Sequence, residues 1–304
     1  MSLLAAIPDF LDVAVPREVE VVSIPSFPPW PDQALKAEFL VISPALKEAF
    51  RAYVARMPRL RYLQTTTAGV DWILAEVPPG VVLLDASGVY DIPVAEWVIS
   101  AILQALKRWT DFWELQKEGS WKPAPLEELH SKTVLLLGYG SIGRAVEERL
   151  KPFGVRILRV ARRPREGVYG VSDLPTLLPQ AEIVVILLPL TSETRGFVNA
   201  YFLAQLPRGA LLVNAGRGGV VDTQALLQAA EEGRVRAVLD VTDPEPLPQT
   251  HPLWRAPGVW ITPHVAGFDG SPERSLERVA ALVRAQLERL VAGVPLANVV
   301  QEGY

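Results

Sequence analysis

Three polar side chains follow short apolar runs in the second half of the sequence, where they could act together on a small acid. His264 follows one run in "VWITPHVAG", Arg217 lies among glycines in "NAGRGGVVD", and Glu245 comes shortly after "AVLDVTD". An imidazole exchanges a proton near neutral pH, and a planar guanidinium matches the two oxygens of a carboxylate. These residue types predict general acid–base chemistry on a substrate that carries a carboxylate.

The sequence contains only three histidines, so the search for a proton donor is short. His130 and His251 fall in a predicted loop and a predicted turn. His264 directly follows a predicted strand, and ligands of parallel α/β sheets bind at the carboxyl ends of strands. A carboxylate beside His264 would orient the ring and keep a proton available. Glu245 is the best candidate for that carboxylate.

A glycine-rich turn lies further upstream, in "TVLLLGYGSIG". Gly138, Gly140 and Gly143 follow an apolar strand and open a predicted helix, with Tyr139, Ser141 and Ile142 between them. The first glycine permits a tight turn, the second lets the backbone approach a pyrophosphate, and the third allows close packing of helix and strand. This arrangement predicts a dinucleotide-binding turn, for which an ordinary glycine turn is the alternative.

The end of the next strand indicates which dinucleotide is bound. An acid normally holds the adenosine ribose of NAD there, but this chain has Ala161, then Arg162 and Arg163, and Arg165 after a proline. Guanidinium groups can grip a 2′-phosphate that a carboxylate would repel. We therefore expect NADP(H), contacted by Arg162 and Arg163, with NAD(H) possible. The alternative is that these arginines form a solvated loop face, and Glu166 is a rival acid.

The elements that must position these residues alternate between strands and helices. A long helix is predicted from Pro93 through "PVAEWVISAILQALKRWTDFWELQ", and an amphipathic helix ends at Gly293. The predicted strands cover 19–24, 38–43, 60–65, 81–86, 133–137, 155–160, 183–188, 210–214, 236–241 and 259–262. Such alternation predicts an α/β protein with two doubly wound parallel sheets.

The domain organisation follows from the same order of elements. We expect a Rossmann nucleotide domain over residues 94–268, inserted into a flavodoxin-like substrate domain formed by 1–93 plus 269–304. A chain of 304 residues is long enough for two domains.

Composition limits the partners of the chain. Thirty basic and 34 acidic residues give a net charge of -4, and no basic run or long apolar segment is present. We therefore expect no nucleic-acid and no membrane partner. The sequence has no cysteine, which excludes thiolate chemistry and cysteine-bound metal, and no metal site is expected. A cytoplasmic location is the default expectation.

Several motifs in one order resemble a known family. "GYGSIG", "LPLTSETRGFVN", "NAGRGGVVD", "LDVTDPEPLP" and "TPHVAG" look like those of the D-isomer-specific 2-hydroxyacid dehydrogenases, densely over residues 94 to 268. The first domain resembles this family in fewer segments, namely "TTTAGVDWI" and "ASGVYDIPVAEW". The resemblance implies an NAD(P)-dependent oxidoreductase with its active site in a cleft between two domains, usually a homodimer.

The resemblance also implies roles for residues. His264 would donate a proton to the carbonyl oxygen of a 2-oxo acid, Glu245 would keep His264 protonated, and Arg217 would bind the substrate carboxylate. Asp240 would accept a hydrogen bond from the nicotinamide carboxamide. The remaining implied contacts are Ala68 and Gly69 to the substrate through backbone N–H groups, and Leu188, Pro189, Thr194 and Ala215 to the cofactor.

The missing ribose acid is similar to the NADP-using glyoxylate/hydroxypyruvate reductase branch of the family. Glu245 argues against formate dehydrogenase chemistry, in which the histidine is paired with glutamine. Two alternatives stay open. One is an NAD-dependent dehydrogenase acting on D-3-phosphoglycerate or a similar acid, and the other is a nucleotide-sensing protein of this fold without enzymatic activity.

Overall fold

The computed structural model describes residues 3–267 and 272–301. Contacts divide the chain into two compact units. The first contains the described residues up to Tyr90 and those of the C-terminal segment, and the second spans Asp91–Gly267. Among the described residues, no helix combines the length and apolar character needed to cross a membrane.

The first unit is a parallel sheet of five strands. Its elements are β1 (Leu3–Pro8), β2 (Val19–Ile24), β3 (Phe39–Ile42), α1 (Lys47–Tyr53), β4 (Tyr62–Thr65) and β5 (Val82–Leu84). The strand order is β2-β1-β3-β4-β5, and every pair is parallel. This is the flavodoxin-like order that the sequence predicts. All four side chains of β3 are buried, because both faces of the sheet are covered.

Strand β1 is absent from the strands predicted from sequence. It pairs with β2 over six residues and with β3 at Ala5 and Ala6, so it lies inside the sheet. Its run "LLAAIP" contains no alternation and two residues, Ala5 and Ala6, that have little preference for strands. This segment is a strand because it pairs with β2 and β3 on either side, and the sequence of β1 itself does not indicate this pairing.

The second unit is a parallel sheet of six strands with helices between them. Its elements are α2 (Asp91–Leu106), α3 (Trp109–Lys117), β6 (Thr133–Leu137), α4 (Ser141–Leu150), β7 (Arg156–Val160), α5 (Leu174–Leu177), β8 (Ile183–Ile186), α6 (Ala200–Ala204), β9 (Ala210–Asn214), α7 (Thr223–Glu231), β10 (Val235–Leu239) and β11 (Val259–Ile261). The order is β11-β10-β9-β8-β6-β7. Tyr169 adds an isolated parallel bridge to Val160 of β7. If this bridge counts as a minimal strand, the order becomes 3-2-1-4-5-6-7, which contains the 3-2-1-4-5-6 of a Rossmann sheet and adds β11 at its edge.

The single long helix predicted from Pro93 is wrong, because the structure divides it into α2 and α3. Arg108 between them has a φ of 54°, in the left-handed region that ends a helix. Its side chain donates from Nε to Asp111 Oδ2 at 2.7 Å, across the first turn of α3. The apolar pattern continues through the break, so periodicity alone does not reveal it.

A last helix, α8 (Pro272–Ala292), belongs to the first unit. Val279, Val283 and Leu287 follow one another at intervals of four residues and are buried in one apolar cluster with Ile7 and Phe39. This spacing places the three side chains on one face of the helix. The helix therefore covers one face of the first sheet, as expected for a helix that lacks a sheet of its own.

Candidate active site

Three neighbouring strands of the second sheet bring the predicted trio to one edge. Strands β9, β10 and β11 are adjacent and parallel. Arg217, Glu245 and His264 lie on the loops that follow them, here called the trio edge (residues 214–219, 240–245 and 262–266). The carboxyl ends of parallel strands meet at one edge of a sheet, which is where ligands of doubly wound folds bind.

His264 contacts the predicted carboxylate. Its Nδ1 lies 2.5 Å from Glu245 Oε1, and both side chains are partly exposed. With Nδ1 engaged by a carboxylate, the ring orientation is fixed and Nε2 is the nitrogen left to meet a substrate. His264 also has a φ of 55°, a backbone conformation that is costly for a residue other than glycine. Such conformations cluster at functional sites.

Asp240 holds the loop that carries His264. Its buried carboxylate accepts hydrogen bonds from Thr262 Oγ1 at 2.7 Å, Val265 N at 2.8 Å and Ala266 N at 2.9 Å. The Asp240 carbonyl accepts a further bond from His264 N at 2.8 Å. Asp240 therefore positions the histidine loop in this structure. The sequence reasoning missed this role, and the Asp240 contact with nicotinamide stays a prediction.

Arg217 lies on a turn held by close backbone contacts. Its Nη1 donates to the Gly216 carbonyl at 2.9 Å, and its own carbonyl accepts from Nδ2 of the buried Asn214 at 3.1 Å. A Cβ on Gly216 would lie 2.7 Å from the Leu188 carbonyl oxygen, and a Cβ on Gly218 would overlap the Thr242 carbonyl. The glycines thus let the turn lie against neighbouring loops. Asn214 was missed, although a polar residue ending the apolar run "ALLVN" was a usable signal.

The glycine turn has the geometry that a pyrophosphate requires. Gly138 has a φ of 107°, and a Cβ there would come within 2.8 Å of the Leu187 backbone. A Cβ on Gly143 would lie 2.8 Å from the Gly138 carbonyl, which reflects the close approach of α4 to the turn. A Cβ on Gly140 meets nothing within 4 Å. The space beside Gly140 is open, at the start of α4, where Ser141 and Ile142 belong to the first helical turn.

An unpredicted charged group supports this turn. Glu147 of α4 is only 3% exposed and receives Arg159 of β7 through two bonds, from Nε at 2.6 Å and from Nη2 at 2.7 Å. Tyr139 Oη donates to the same carboxylate at 2.6 Å, and Lys151 Nζ lies 3.0 Å from it. The Arg159 guanidinium holds the pKa of Glu147 at about 2. Glu147 lies on the buried face of α4, and an acid on a buried face indicates a partner of opposite charge. The other buried residues of this helix are Gly143, Val146 and Leu150.

The arginines predicted to bind a 2′-phosphate follow β7. Arg162, Arg163 and Arg165 are exposed on a loop that turns back, with Arg165 and Val168 exchanging backbone hydrogen bonds at 3.1 and 2.8 Å. Arg165 Nη2 donates to the Tyr139 carbonyl at 2.9 Å. The loop is thus joined to the glycine turn. Glu166 is exposed within the same tight turn.

The remaining predicted cofactor residues lie at the ends of β8 and β9. Leu188 and Pro189 follow β8, and Ala215 N donates to the Ile186 carbonyl at 3.2 Å. Thr194 Oγ1 donates to the Pro189 carbonyl at 2.6 Å and accepts from Thr191 N at 2.8 Å, so the hydroxyl closes this loop on itself. Contacts of these residues with a cofactor stay predictions.

The predicted substrate residues of the first unit, Ala68 and Gly69, lie on the loop after β4. Side chains bind its carbonyls: Tyr90 Oη donates to Thr66 O at 2.8 Å, and Trp72 Nε1 donates to Gly69 O at 3.0 Å. These bonds fix the orientation of the peptide groups in the loop. Binding of a carboxylate by Ala68 and Gly69 stays a prediction.

The residues of the second unit fit a dinucleotide. The close contacts at Gly138 and Gly143 and the open space at Gly140 are those of a pyrophosphate cradle. The exposed arginines after β7 add positive charge where an adenosine ribose would lie. The trio edge supplies an acid–base pair and a guanidinium at the same edge of the sheet.

Comparison with known proteins agrees with this chemistry. Residues 99–266 match the model of the D-isomer specific 2-hydroxyacid dehydrogenase family, NAD binding domain. The chain is also 34% identical, over 262 residues, to glyoxylate/hydroxypyruvate reductase A of Serratia proteamaculans (strain 568). That alignment covers 81% of this chain and 82% of the relative.

Solved structures share the whole fold. A D-isomer specific 2-hydroxyacid dehydrogenase from Xanthobacter autotrophicus Py2, in complex with NADPH and MES, superposes with a TM-score of 0.84 at 29% identity, over 99% of this chain and 100% of that one. The NADPH-dependent glyoxylate/hydroxypyruvate reductase of Sinorhizobium meliloti, in complex with NADP and sulfate, gives a TM-score of 0.82 at 27% identity, with 100% of both chains covered.

Proposed function

The chain belongs to the D-isomer specific 2-hydroxyacid dehydrogenase family, and from this premise we propose that it is an NADPH-dependent reductase of small 2-oxo acids such as glyoxylate or hydroxypyruvate. The observation that carries the proposal is the 2.5 Å contact between His264 Nδ1 and Glu245 Oε1 at the edge that also bears Arg217. An imidazole paired with a carboxylate can protonate the carbonyl oxygen of a substrate, and a guanidinium at the same edge of the sheet can bind the substrate's carboxylate.

The residues of the trio edge divide the work. Arg217 binds the substrate carboxylate and polarises the neighbouring carbonyl oxygen through its planar fork of N–H groups. Nε2 of His264 donates a proton to that oxygen, while Glu245 holds the ring through Nδ1. NADPH, when bound, supplies the hydride. Backbone N–H groups of Ala68 and Gly69 bind the carboxylate in this proposal.

The preference for NADP(H) is supported by residues and by relatives. Ala161 leaves room where an acid would repel a phosphate, and Arg162 and Arg163 follow it on an exposed loop. The structures from Xanthobacter and Sinorhizobium hold NADPH and NADP. Gly138, Gly140 and Gly143 hold the pyrophosphate in the proposed complex.

One spectrophotometric assay tests the activity. The purified protein is mixed with NADPH or NADH and a panel of 2-oxo acids, and the absorbance of the reduced nicotinamide is followed. We expect turnover with glyoxylate or hydroxypyruvate and a higher kcat/KM for NADPH. Oxidation of D-3-phosphoglycerate with NAD would support the phosphoglycerate alternative instead. Tight NADPH binding without turnover of any acid would support a sensor and overturn the proposal.

We further propose that the protein is a homodimer through an aromatic surface of the second unit. Trp109, Trp113 and Trp121, on α3 and the segment after it, are 58%, 59% and 98% exposed. Whole tryptophan side chains bury up to about 250 Å² each, so these three offer roughly 500 Å² of a stable interface's ~800 Å² per partner. A second copy is the occupant that suits this surface, because two-fold pairing places each set of tryptophans against the other.

Grooves beside these side chains give the partner's tryptophan a place to bind. One of about 430 Å³ lies between Trp109, Trp113 and Leu126, and one of about 600 Å³ lies between Phe112 and Trp121. Light scattering after gel filtration tests the proposal with Trp121→Ser and a matched change of an exposed aromatic elsewhere, Phe27→Ser. We expect a dimer that only Trp121→Ser weakens. A monomeric parent protein, or a dimer indifferent to Trp121, would refute this interface.

A further inference from the structure

Two glutamine side chains lie in the interior of the first unit, where long polar side chains are uncommon. Gln64 of β4 and Gln286 of α8 are both 0% exposed. Gln286 Nε2 donates to Gln64 Oε1 over a long 3.4 Å, which joins the helix to an interior strand of the sheet. A buried amide costs free energy unless it is hydrogen-bonded, so the other partners of the two side chains show what the pair holds in place.

The Gln64 amide ties together the ends of two neighbouring strands. Its Nε2 donates to the Thr65 carbonyl at 2.8 Å and to the Asp85 carbonyl at 2.9 Å. Thr65 ends β4, and Asp85 directly follows β5, which pairs with β4 in parallel. The loop after β4, here called the β4 loop (residues 66–69), begins at this edge of the sheet. Gln64 therefore fixes the point from which the β4 loop starts.

Hydrogen bonds carry this support into the β4 loop. Thr65 Oγ1 donates to the Thr67 carbonyl at 2.7 Å, and Ala86 N donates to the same carbonyl at 3.0 Å. A trans peptide unit is planar, so the N–H of Ala68 points in the direction opposite to the Thr67 carbonyl. The two bonds to that carbonyl therefore set the direction of the Ala68 N–H.

Gln286 is bonded to the C-terminal segment as well. Its Nε2 donates to the Ala297 carbonyl at 2.6 Å, and its Oε1 accepts from Ala297 N at 3.1 Å. The next residue, Asn298, donates from Nδ2 to the Ser87 carbonyl at 2.8 Å, and its own carbonyl accepts from Asp85 N at 3.0 Å. This segment also makes an isolated antiparallel bridge to β5. Gln286 is thus bonded to the strand on one side of β5 and to the segment on its other side.

We propose that Gln286 and Gln64 are positioning residues that hold the peptide groups of the β4 loop in place for the carboxylate of the 2-oxo acid. This role rests on the proposed function, in which the N–H groups of Ala68 and Gly69 bind that carboxylate. It gives α8 and the C-terminal segment a part in substrate affinity. It also explains why these buried positions are polar, because a fully bonded network fixes orientation, whereas apolar side chains of the same size only fill space.

Steady-state kinetics of Gln286→Met test this role, with glyoxylate varied at saturating NADPH. Methionine keeps the length of the side chain and removes its amide, so the KM for glyoxylate should rise about tenfold, as expected when a hydrogen bond to a charged group is weakened. The kcat should stay within about twofold, because binding that is equal in the ground state and the transition state affects KM alone. The Kd for NADPH, measured by fluorescence titration, should be unchanged, since the glycine turn belongs to the second unit.

Leu287→Ala is the matched control for a loss of stability alone. Leu287 is the next residue of α8 and is also 0% exposed, but its side chain lies in an apolar cluster. Its truncation leaves a cavity and should lower the free energy of unfolding at least as much as Gln286→Met does, while the KM for glyoxylate stays that of the parent. An equal rise of KM in both variants would reduce Gln286 to a packing role and overturn the proposal.

A second variant removes a later link of the same path. Thr65→Val deletes the hydroxyl that donates to the Thr67 carbonyl and keeps the branched shape of the side chain. It should raise the KM for glyoxylate with kcat kept, and it decides the matter if Gln286→Met does not fold. An unchanged KM in Thr65→Val would overturn the support of the β4 loop by this network.

The outcomes separate this role from the proposed function. A parent protein that reduces none of the 2-oxo acids with NADPH would overturn the proposed function and the positioning role with it. A parent that reduces glyoxylate, while the KM of Gln286→Met is unchanged, would overturn the role of Gln286 alone. A lower kcat at an unchanged KM would also overturn it, because the effect would then lie on the chemical step and not on carboxylate binding.

Discussion

The trio edge and the Tyr139 cluster, formed by Tyr139, Glu147, Arg159 and Arg165, belong to the same unit, but they are held in place by different means. At the trio edge, backbone contacts fix the loops: glycines approach neighbouring carbonyls, and a buried aspartate binds two amides and a threonine hydroxyl. In the Tyr139 cluster, side chains contact one another around one buried glutamate.

The difference shows which part of the protein can change. A proton donor must keep its position within about half an ångström, and contacts between backbone segments hold a loop that closely. The glycines at those contacts, however, cannot be replaced by larger residues. In the proposed complex, cofactor selection depends on a few exposed side chains, which we expect to be replaceable without refolding the loop. Substitutions should therefore affect the two regions in different ways, and the following variants test this.

The largest effect is expected from the proposed proton donor, His264. His264→Ala should lower kcat about 10³-fold, because general acid catalysis of this kind contributes 10²–10⁴, while the KM for the oxo acid changes little. His251→Ala is the control: His251 Nδ1 accepts from Leu253 N at 3.2 Å as a local cap, and its loss should leave kcat unchanged. Steady-state kinetics across neutral pH decide the matter, and full activity of His264→Ala would refute the mechanism.

A pair of glycine variants tests whether backbone contacts hold the trio edge. Gly218→Ala forces a methyl group into the Thr242 carbonyl and should destabilise the protein by at least about 3 kcal/mol. Gly140→Ala meets nothing within 4 Å and should unfold like the parent while losing NADPH affinity. Urea unfolding and fluorescence titration with NADPH measure the two effects. Equal stability of both variants would contradict the comparison.

Charge reversal at Arg162 tests whether the exposed arginines after β7 select the cofactor. Arg162→Asp places a carboxylate where the 2′-phosphate is expected and should lower kcat/KM for NADPH about 100-fold, by loss of a charge-assisted contact and added repulsion. The value for NADH should not fall, and stability should be unchanged because the side chain is exposed. An unaltered ratio of the two cofactors would show that this arginine does not select between them.

The smallest effect concerns the buried carboxylate of the cluster. Arg159 lowers the pKa of Glu147 to about 2, from about 4.3 in an unfolded chain, so the carboxylate stabilises the fold above pH ~4.3 and loses this contribution as pH falls to 2. Glu147→Gln should therefore cost up to about 3 kcal/mol at pH 7. The difference from the parent should shrink below pH ~4.3, as chemical denaturation at a series of pH values would show. A deficit independent of pH would contradict the ion-pair account.

Much of this architecture follows from local sequence. The apolar runs of β6 and β9 are continuous and end before a glycine and at an asparagine. Glu245, the sequence's best candidate for the carboxylate beside His264, contacts its Nδ1 in the structure. These signals are strong because the apolar residues of each strand and the residue that ends the strand are adjacent in the sequence.

Other features depend on contacts far along the chain. Strand β1 is set by its two neighbours, and the break at Arg108 interrupts an apolar pattern that continues on both sides. The position of Asp240 in the sequence indicates a ligand contact, yet its carboxylate binds a loop more than 20 residues away. Tertiary hydrogen bonds of this kind leave no trace in residue spacing.

The left-handed backbone at His264 shows that this position is not optimised for folding alone. An L-amino acid with a side chain costs about 1–2 kcal/mol in this conformation, whereas glycine or asparagine occupies it readily. Replacing His264 by glycine or asparagine would therefore relieve this cost but remove the imidazole that contacts Glu245. The imidazole is thus held at the trio edge at the expense of some stability of the fold.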